Sequence, residues 1–388
     1  MIRLIPPVSV PVGALRVAST LLNGGGDRTA ELERSLEASC DLPRAFLFGS
    51  GRAALASYLE RASSPGRDEV VVPAYTCWSV PAAVVRAGMR VRLVDLDPRS
   101  FDIPPEALAQ AISPRTAAVV AAHLLAPSTD VRAIGALVKV RDPAIRVIED
   151  AAQARPGPVT EDVDAVILSF GRGKPVPLGG GGALLCREEG RGSPPEIRGG
   201  GWLGAAALAA TSLLANPGWY RIPESIPLLG IGTTQYDPGF DPGVPFRRWQ
   251  GSLAVRMLEE LPRLERERSH NAARLLSRLE GLSGLEFPAP ARAEGPLRLP
   301  LLAPSRRVRE ALLPALRERG VSASRLYPGG LTEIVELRPH LAGESERFPG
   351  ARELADRLLT LPVYPGLTPD EVGAIGDAFR SALSEVGP

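Results

Sequence analysis

Only two lysines, Lys139 and Lys174, stand in a chain of 388 residues that carries 43 arginines. A primary amine can lose its proton and condense with a carbonyl, whereas a guanidinium stays protonated. A lysine kept where arginine has taken nearly every other cationic position is a candidate for amine chemistry. Lys174 closes the run Ser169-Phe170-Gly171-Arg172-Gly173-Lys174, which sets a hydroxyl and a second cation close by in sequence. Asp150 ends the run Arg146-Val147-Ile148-Glu149-Asp150, and Ser50-Gly51 opens a helical stretch from Arg52 to Arg61. A helix start offers backbone N–H groups to an anion. On residue counts alone, chance survival of two lysines under a GC-rich coding bias stays open. So does plain helix capping by Asp150 and Ser50.

These residues can meet only if the chain brings strand ends together. From Ala45 to Cys186, short apolar runs alternate with helical patterns. Strands are expected at Val70 to Val72, Val91 to Leu96, Ala117 to Ala122, Arg146 to Ile148, Ala165 to Leu168 and Ala183 to Cys186. Helices are expected at Pro81 to Ala87, Pro105 to Ile112 and Val131 to Val140. Such alternation implies a three-layer α/β/α domain with a mainly parallel sheet. Ligands gather at the carboxyl ends of its strands, where Asp150, Ser169 and Ser50-Gly51 could converge. A Gly- and Pro-rich insert follows at about 190–245. Then come a long helical pattern from Trp249 to Leu279, a strand at Leu297 to Leu302, and helices at Val308 to Arg319 and Pro369 to Leu383. The expected partition is a large domain over 1–245 and a smaller C-terminal α/β domain over 246–388.

Composition removes several functions. The net charge is +1 with both signs scattered, which argues against a nucleic-acid or acidic-membrane footprint. Cys40, Cys77 and Cys186 are odd in number and far apart, and His123, His270 and His340 have no paired spacing; neither set forms a metal or disulfide motif. Met1 to Val10 has no signal-peptide pattern and reads as a strap over the domain. Trp202 to Ala215 is almost wholly apolar but falls short of the roughly 20 residues needed to span a bilayer. A buried or subunit-interface helix is the expectation there, membrane contact is not, and a cytoplasmic location follows.

The ordered motifs resemble the DegT/DnrJ/StrS family of pyridoxal-phosphate (PLP) sugar aminotransferases, of the aspartate aminotransferase fold type I. They are Ser50-Gly51-Arg52-Ala53-Ala54-Leu55, Asp68-Glu69-Val70-Val71-Val72-Pro73, Val94-Asp95-Leu96-Asp97, His123-Leu124, Val147 to Ala154, Ser169-Phe170 with Lys174, and Leu361 to Thr368. Together they cover about residues 45–186 and 300–380. The resemblance implies that Lys174 bonds to PLP and shuttles a proton, that Asp150 faces the ring nitrogen, and that Gln153 lies beside the phenolic oxygen. Ser50, Gly51, Arg52 and Ser169 would hold the phosphate. Tyr327, in Tyr327-Pro328, and His123 would approach the substrate. It also implies a homodimer that moves an amino group from an amino acid, glutamate being the expected donor, to a keto sugar that is commonly nucleotide-linked.

Three positions depart from the family's pattern. Arg52 stands where Ser or Thr is usual. Cys77 stands where an aromatic ring normally stacks on PLP, with Trp78 next door as a substitute. The stretch Gly243 to Trp249 lacks the family's Asn, leaving Arg247 and Arg248. Two other readings follow from these departures and from the apolar segment. One is an accessory protein that docks a partner or membrane. The other is a PLP-dependent sugar dehydratase, against which Lys174 argues because such relatives carry His there. The apolar segment also suggests an acceptor of apolar character.

Overall fold

In the computed structural model of this protein, residues 4–8, 13, 17, 19–20, 27–188, 194–214, 218, 220, 235–343 and 347–387 are described. Among the described residues, nine strands fall into a seven-stranded and a two-stranded sheet. The larger contains β1 (Arg44–Phe48), β2 (Glu69–Pro73), β3 (Arg90–Val94), β4 (Thr116–Ala122), β5 (Arg146–Asp150), β6 (Ala165–Ser169) and β7 (Gly182–Cys186), in the order β1-β7-β6-β5-β4-β2-β3. Strands β3, β2, β4, β5 and β6 run parallel. β7 is antiparallel to both its neighbours.

Central strands such as β2 and β4 are buried on both sides, as expected where helices cover both faces of a parallel sheet. Alternate residues feed separate cores. Val71, Val119, Ala121 and Val147 join one cluster with the helices Thr29–Cys40, Val131–Arg141 and Arg248–Leu279. Val70, Val72, Ala118, Val120 and Ile148 join another with the helices Gly51–Ala62, Ser79–Arg86 and Pro349–Arg357. This is the three-layer arrangement that the strand–helix alternation calls for.

The second sheet pairs β8 (Arg298–Leu302) with β9 (Leu358–Pro362), antiparallel. It packs with the helices Arg306–Glu318 and Pro369–Val386 around its own apolar cluster. At the chain's start, Ile5 pairs with residues 320 and 322 through bonds of 2.8 and 2.9 Å, so the strap expectation describes residues 4–8. The apolar segment forms the helix Trp202–Leu214, with Ala205 and Leu208 buried and Leu203 88% exposed. Among the described residues, no helix is long and apolar enough to cross a membrane. Most of the stretch from Pro217 to 234 lies outside the described residues.

Candidate active site

The parallel strands end together at one edge of the sheet, and the candidate residues sit at those ends. Asp150 is the last residue of β5 and Ser169 the last of β6, its neighbour. Lys174 lies in the loop that follows β6. That loop is closed at its base by the bond from Leu178 N to Phe170 O (2.8 Å), and it turns through Gly173 at φ +72. The positive φ accounts for glycine there.

The two lysines are bonded very differently. Lys139 Nζ donates to Ile145 O at 2.9 Å and to Asp164 Oδ2 at 2.7 Å, with a longer contact to Pro143 O. Among the described residues, Lys174 makes no hydrogen bond or ion pair. Its ammonium still acts on Asp150. That carboxyl is 8% exposed and accepts one bond, from Ala152 N at 3.0 Å. Burial pushes its pKa up, while the Lys174 charge pulls it down, the opposition expected for a desolvated acid near a cation.

Ser50 caps the helix Gly51–Ala62, its Oγ accepting from Ala53 N at 3.2 Å. The first N–H groups of a helix have no intrahelical acceptor and attract anions. Two glycines let this helix start sit directly on the sheet. A Cβ on Gly51 would lie 3.1 Å from the Ser169 Cβ, and a Cβ on Gly182 would lie 2.4 Å from Gly51 N. Ser50, Gly51 and Ser169 are thus brought together.

Gln153 and Tyr327 join this crevice from opposite parts of the chain. Gln153 Nε2 donates to the Tyr327 hydroxyl at 2.6 Å, and Gln153 Oε1 accepts from Leu125 N at 3.1 Å. Burial, with Cys77, Tyr75 and Asp150 nearby, holds the Tyr327 pKa well above the usual phenol value, so the hydroxyl keeps its proton. Leu125 and Leu326 flank these residues with φ +67 and +70. Non-glycine residues in the left-handed region cost energy and cluster at functional sites.

Other candidates are engaged elsewhere. His123 Nδ1 accepts from Ser128 N and Thr129 N at 3.2 Å each, so Nε2 carries the proton and faces Glu149 Oε1 at 3.1 Å. Both ring nitrogens thus have protein partners, and His123 buttresses the end of the strand that carries Asp150. The Arg52 guanidinium lies 4.6 Å from the centre of the Phe240 ring and 3.5 Å from Asp237. The 237–240 segment thus supplies the guanidinium with both a π face and a carboxylate. Arg52 also contributes a backbone N–H in the first turn of the helix Gly51–Ala62.

The Trp78 indole donates to Gly329 O at 3.3 Å. Cys77 accepts from Ser79 Oγ at 3.0 Å and lies within electrostatic range of Tyr327. Arg247 turns to Gly199 O (3.3 Å) and Arg248 to Asp27 (3.3 Å).

Sequence reasoning missed two side chains at the crevice. The Tyr75 ring lies 5.5 Å from that of Tyr327. Arg298 begins β8 beside the lysine loop, where a Cβ on Gly173 would lie 3.9 Å from its Nη2. The signal for Arg298 was a lone charge in Leu297-Arg298-Leu299-Pro300-Leu301-Leu302, since arginine is rarely placed among core residues without a purpose.

Comparison with known proteins identifies the family and the fold. A family model described as the DegT/DnrJ/EryC1/StrS aminotransferase family matches residues 14–191 and 244–380. The chain is 26% identical over 370 residues to dTDP-4-dehydro-2,3,6-trideoxy-D-glucose 4-aminotransferase of Saccharopolyspora spinosa, covering 93% of this chain and 90% of that protein. It is 33% identical over 129 residues to a pleiotropic regulatory protein of Geobacillus stearothermophilus, a match spanning only 34% of that relative's length. In fold it is similar to a Streptococcus pneumoniae protein solved in its PLP form, with a TM-score of 0.76 and 20% identity, covering 99% of this chain and 100% of that one.

Proposed function

Because the chain belongs to the DegT/DnrJ/EryC1/StrS aminotransferase family, we propose that it is a PLP-dependent transferase of an amino group from glutamate to a keto sugar, in nucleotide-linked form. A homodimer working in the cytoplasm is the assembly and place that go with this reading. The observation that carries it is the contrast between the two lysines. Lys139 is spent on structural acceptors, while Lys174 keeps its amine uncommitted and acts on a buried acid.

The residues present fit PLP. Among the described residues, the buried Asp150 carboxyl has one hydrogen bond and no ion-pair partner, which is costly unless it meets a proton or a positive charge, and a protonated pyridine ring supplies one. The helix start pressed against Ser169, with no room for a Cβ at Gly182, is a cradle for a phosphate.

When bound, PLP supplies an electron sink for charge developing on the carbon that bears the amino group. The chain's own groups do the rest. Asp150 holds a proton at the ring nitrogen and keeps the ring oriented. Ser50, Ser169 and the N–H groups of Gly51 and Arg52 bind the phosphate. Gln153, fixed by Leu125 N and Tyr327, offers its amide beside the ring. The Lys174 Nζ would take the proton from the donor carbon that bears the amino group, a role open to a primary amine and closed to a guanidinium.

The test is turnover of glutamate with 4-keto nucleotide sugars, followed as 2-oxoglutarate released by PLP-loaded protein. Lys174→Ala should lower the rate about 10²–10⁴-fold or more, the range for losing a positioned proton-transfer group. Equal release by the variant would refute the assignment. The same reading attributes the acceptor's apolar preference, if one is measured, to the exposed face of the helix Trp202–Leu214.

A further inference from the structure

One stretch of the helix Arg248–Leu279 carries cationic side chains that the candidate active site does not use. Arg266, His270 and Arg274 follow one another at intervals of four residues, which sets them on one stripe of the helix surface. They line a cleft of about 550 Å³, closed on its other side by Gly366, Leu367 and Pro369. Sites for small molecules have volumes of this order.

The charges in this cleft do not balance. Glu267 is the carboxylate that lines it, and Arg263 pairs with that group and, at 3.3 Å, with Glu260. Arg266 and Arg274 remain, and among the described residues their guanidinium groups have no hydrogen bond or ion pair. The wall opposite is fixed. Buried Asn271 donates from Nδ2 to Tyr364 O at 3.1 Å. Thr368 and Glu371 cap the helix Pro369–Val386 reciprocally, with bonds of 2.8 and 3.2 Å. Between these two anchors Gly366 turns at φ +91, with open space where its Cβ would stand. The cleft is therefore a braced surface with positive charge to spare.

We propose that this cleft binds a small pyrophosphate-bearing anion, with Arg266 and Arg274 each taking one phosphate group. A helix rises about 1.5 Å per residue, so the two Cα atoms stand about 12 Å apart along the axis. Two long side chains can close on a ligand held between them. A lone carboxylate engages one guanidinium, whereas linked phosphates engage both, each through the parallel N–H···O bonds that a guanidinium fork offers. Leu367 and Pro369 give an apolar surface against which a ring attached to the pyrophosphate can rest. A net charge of +1 and a stripe only three helical turns long fit a small anion and not a nucleic acid. None of the lining residues belongs to the phosphate cradle at Ser50, Gly51 and Ser169, and the proposal does not depend on the reading of Lys174.

The experiment titrates PLP-loaded protein calorimetrically with inorganic pyrophosphate at constant ionic strength, and separately with thymidine diphosphate. Wild type should bind one pyrophosphate per chain. The double variant Arg266→Gln with Arg274→Gln should bind it at least tenfold more weakly, with an unchanged melting temperature because both side chains are exposed. Arg266→Lys with Arg274→Lys keeps the charge and loses the fork, so its affinity should fall between the two. Arg256→Gln removes the same charge from an exposed position on the same helix outside the cleft, and should bind as wild type does. Thymidine diphosphate weakened by the double Gln variant marks a nucleotide as the source of the pyrophosphate; unchanged, it marks the free anion. No pyrophosphate binding by wild type, or equal affinity in the double Gln variant, would overturn the proposal. An equal loss in Arg256→Gln would also overturn it, by reducing the effect to overall charge.

Discussion

At the scale of single residues, Asp150 carries the clearest physical signature. Burial raises its pKa against the pull of Lys174. A carboxyl whose folded pKa exceeds its unfolded one contributes most at low pH and loses that contribution as pH rises through the folded value. Asp150→Asn, which cannot ionise, should therefore raise the melting temperature of PLP-free protein near pH 8. The gain should shrink as pH falls toward the ordinary Asp range, about pH 4. A gain that is the same at both pH values would contradict the burial argument. The same variant should bind PLP more weakly, because the ring nitrogen loses its acid. Lys139→Met gives the complementary result. It removes bonds to a charged partner, costs about 1–3 kcal/mol of stability by denaturant titration, and leaves PLP uptake unchanged; lost uptake would mean that the two lysines are not distinct. Lysine scarcity is what singles out Lys174 in the sequence. Tyr75 was not, because a tyrosine after a strand carries no mark of the partner it will meet across 250 residues.

Among the elements, the start of the helix Gly51–Ala62 positions the most chemistry. Its seat on the sheet depends on Gly182, whose Cβ would meet Gly51 N at 2.4 Å and Ser50 C at 2.6 Å. These are backbone atoms and cannot rotate aside. Gly182→Ala should displace the helix start, weaken PLP binding about tenfold or more, and cost about 1–3 kcal/mol, as overpacking does. Gly157→Ala is the control, since nothing lies within 4 Å of its Cβ. Equal PLP affinity in both variants would show that the helix start does not hold the cofactor. Most strands were readable because they are runs of Val, Ile, Leu and Ala with polar breaks. The antiparallel course of β7 was not, for pairing direction is set by the connection and leaves no trace in Gly182-Ala183-Leu184-Leu185-Cys186. β9 and the helices Thr29–Cys40 and Pro349–Arg357 also went unread. Pro349–Arg357 is short, and its N terminus is capped from far away, by Asp95 accepting from Gly350 N and Ala351 N at 2.9 Å each.

For the whole molecule, the crevice is where the larger sheet's side of the chain is tied to the 325–329 segment. Gln153 to Tyr327, Trp78 to Gly329 and Tyr75 to Arg325 each bridge residues more than 170 apart. The candidate site thus lies at a junction, with Asp150 and Lys174 on the larger sheet's side and Tyr327 and Arg298 on the other. That convergence was visible in outline from Asp150, Ser169 and Ser50 at strand ends, while the contribution of β8 required the fold itself. All of it depends on which nitrogen meets the cofactor, and a chain with two lysines makes that unusually direct to ask. Borohydride reduction of PLP-loaded protein fixes the cofactor to the amine it has condensed with, and peptide mass spectrometry locates the tag. The account predicts a single tag on Lys174. A tag on Lys139 or on the terminal amine, or no tag at all, would contradict it.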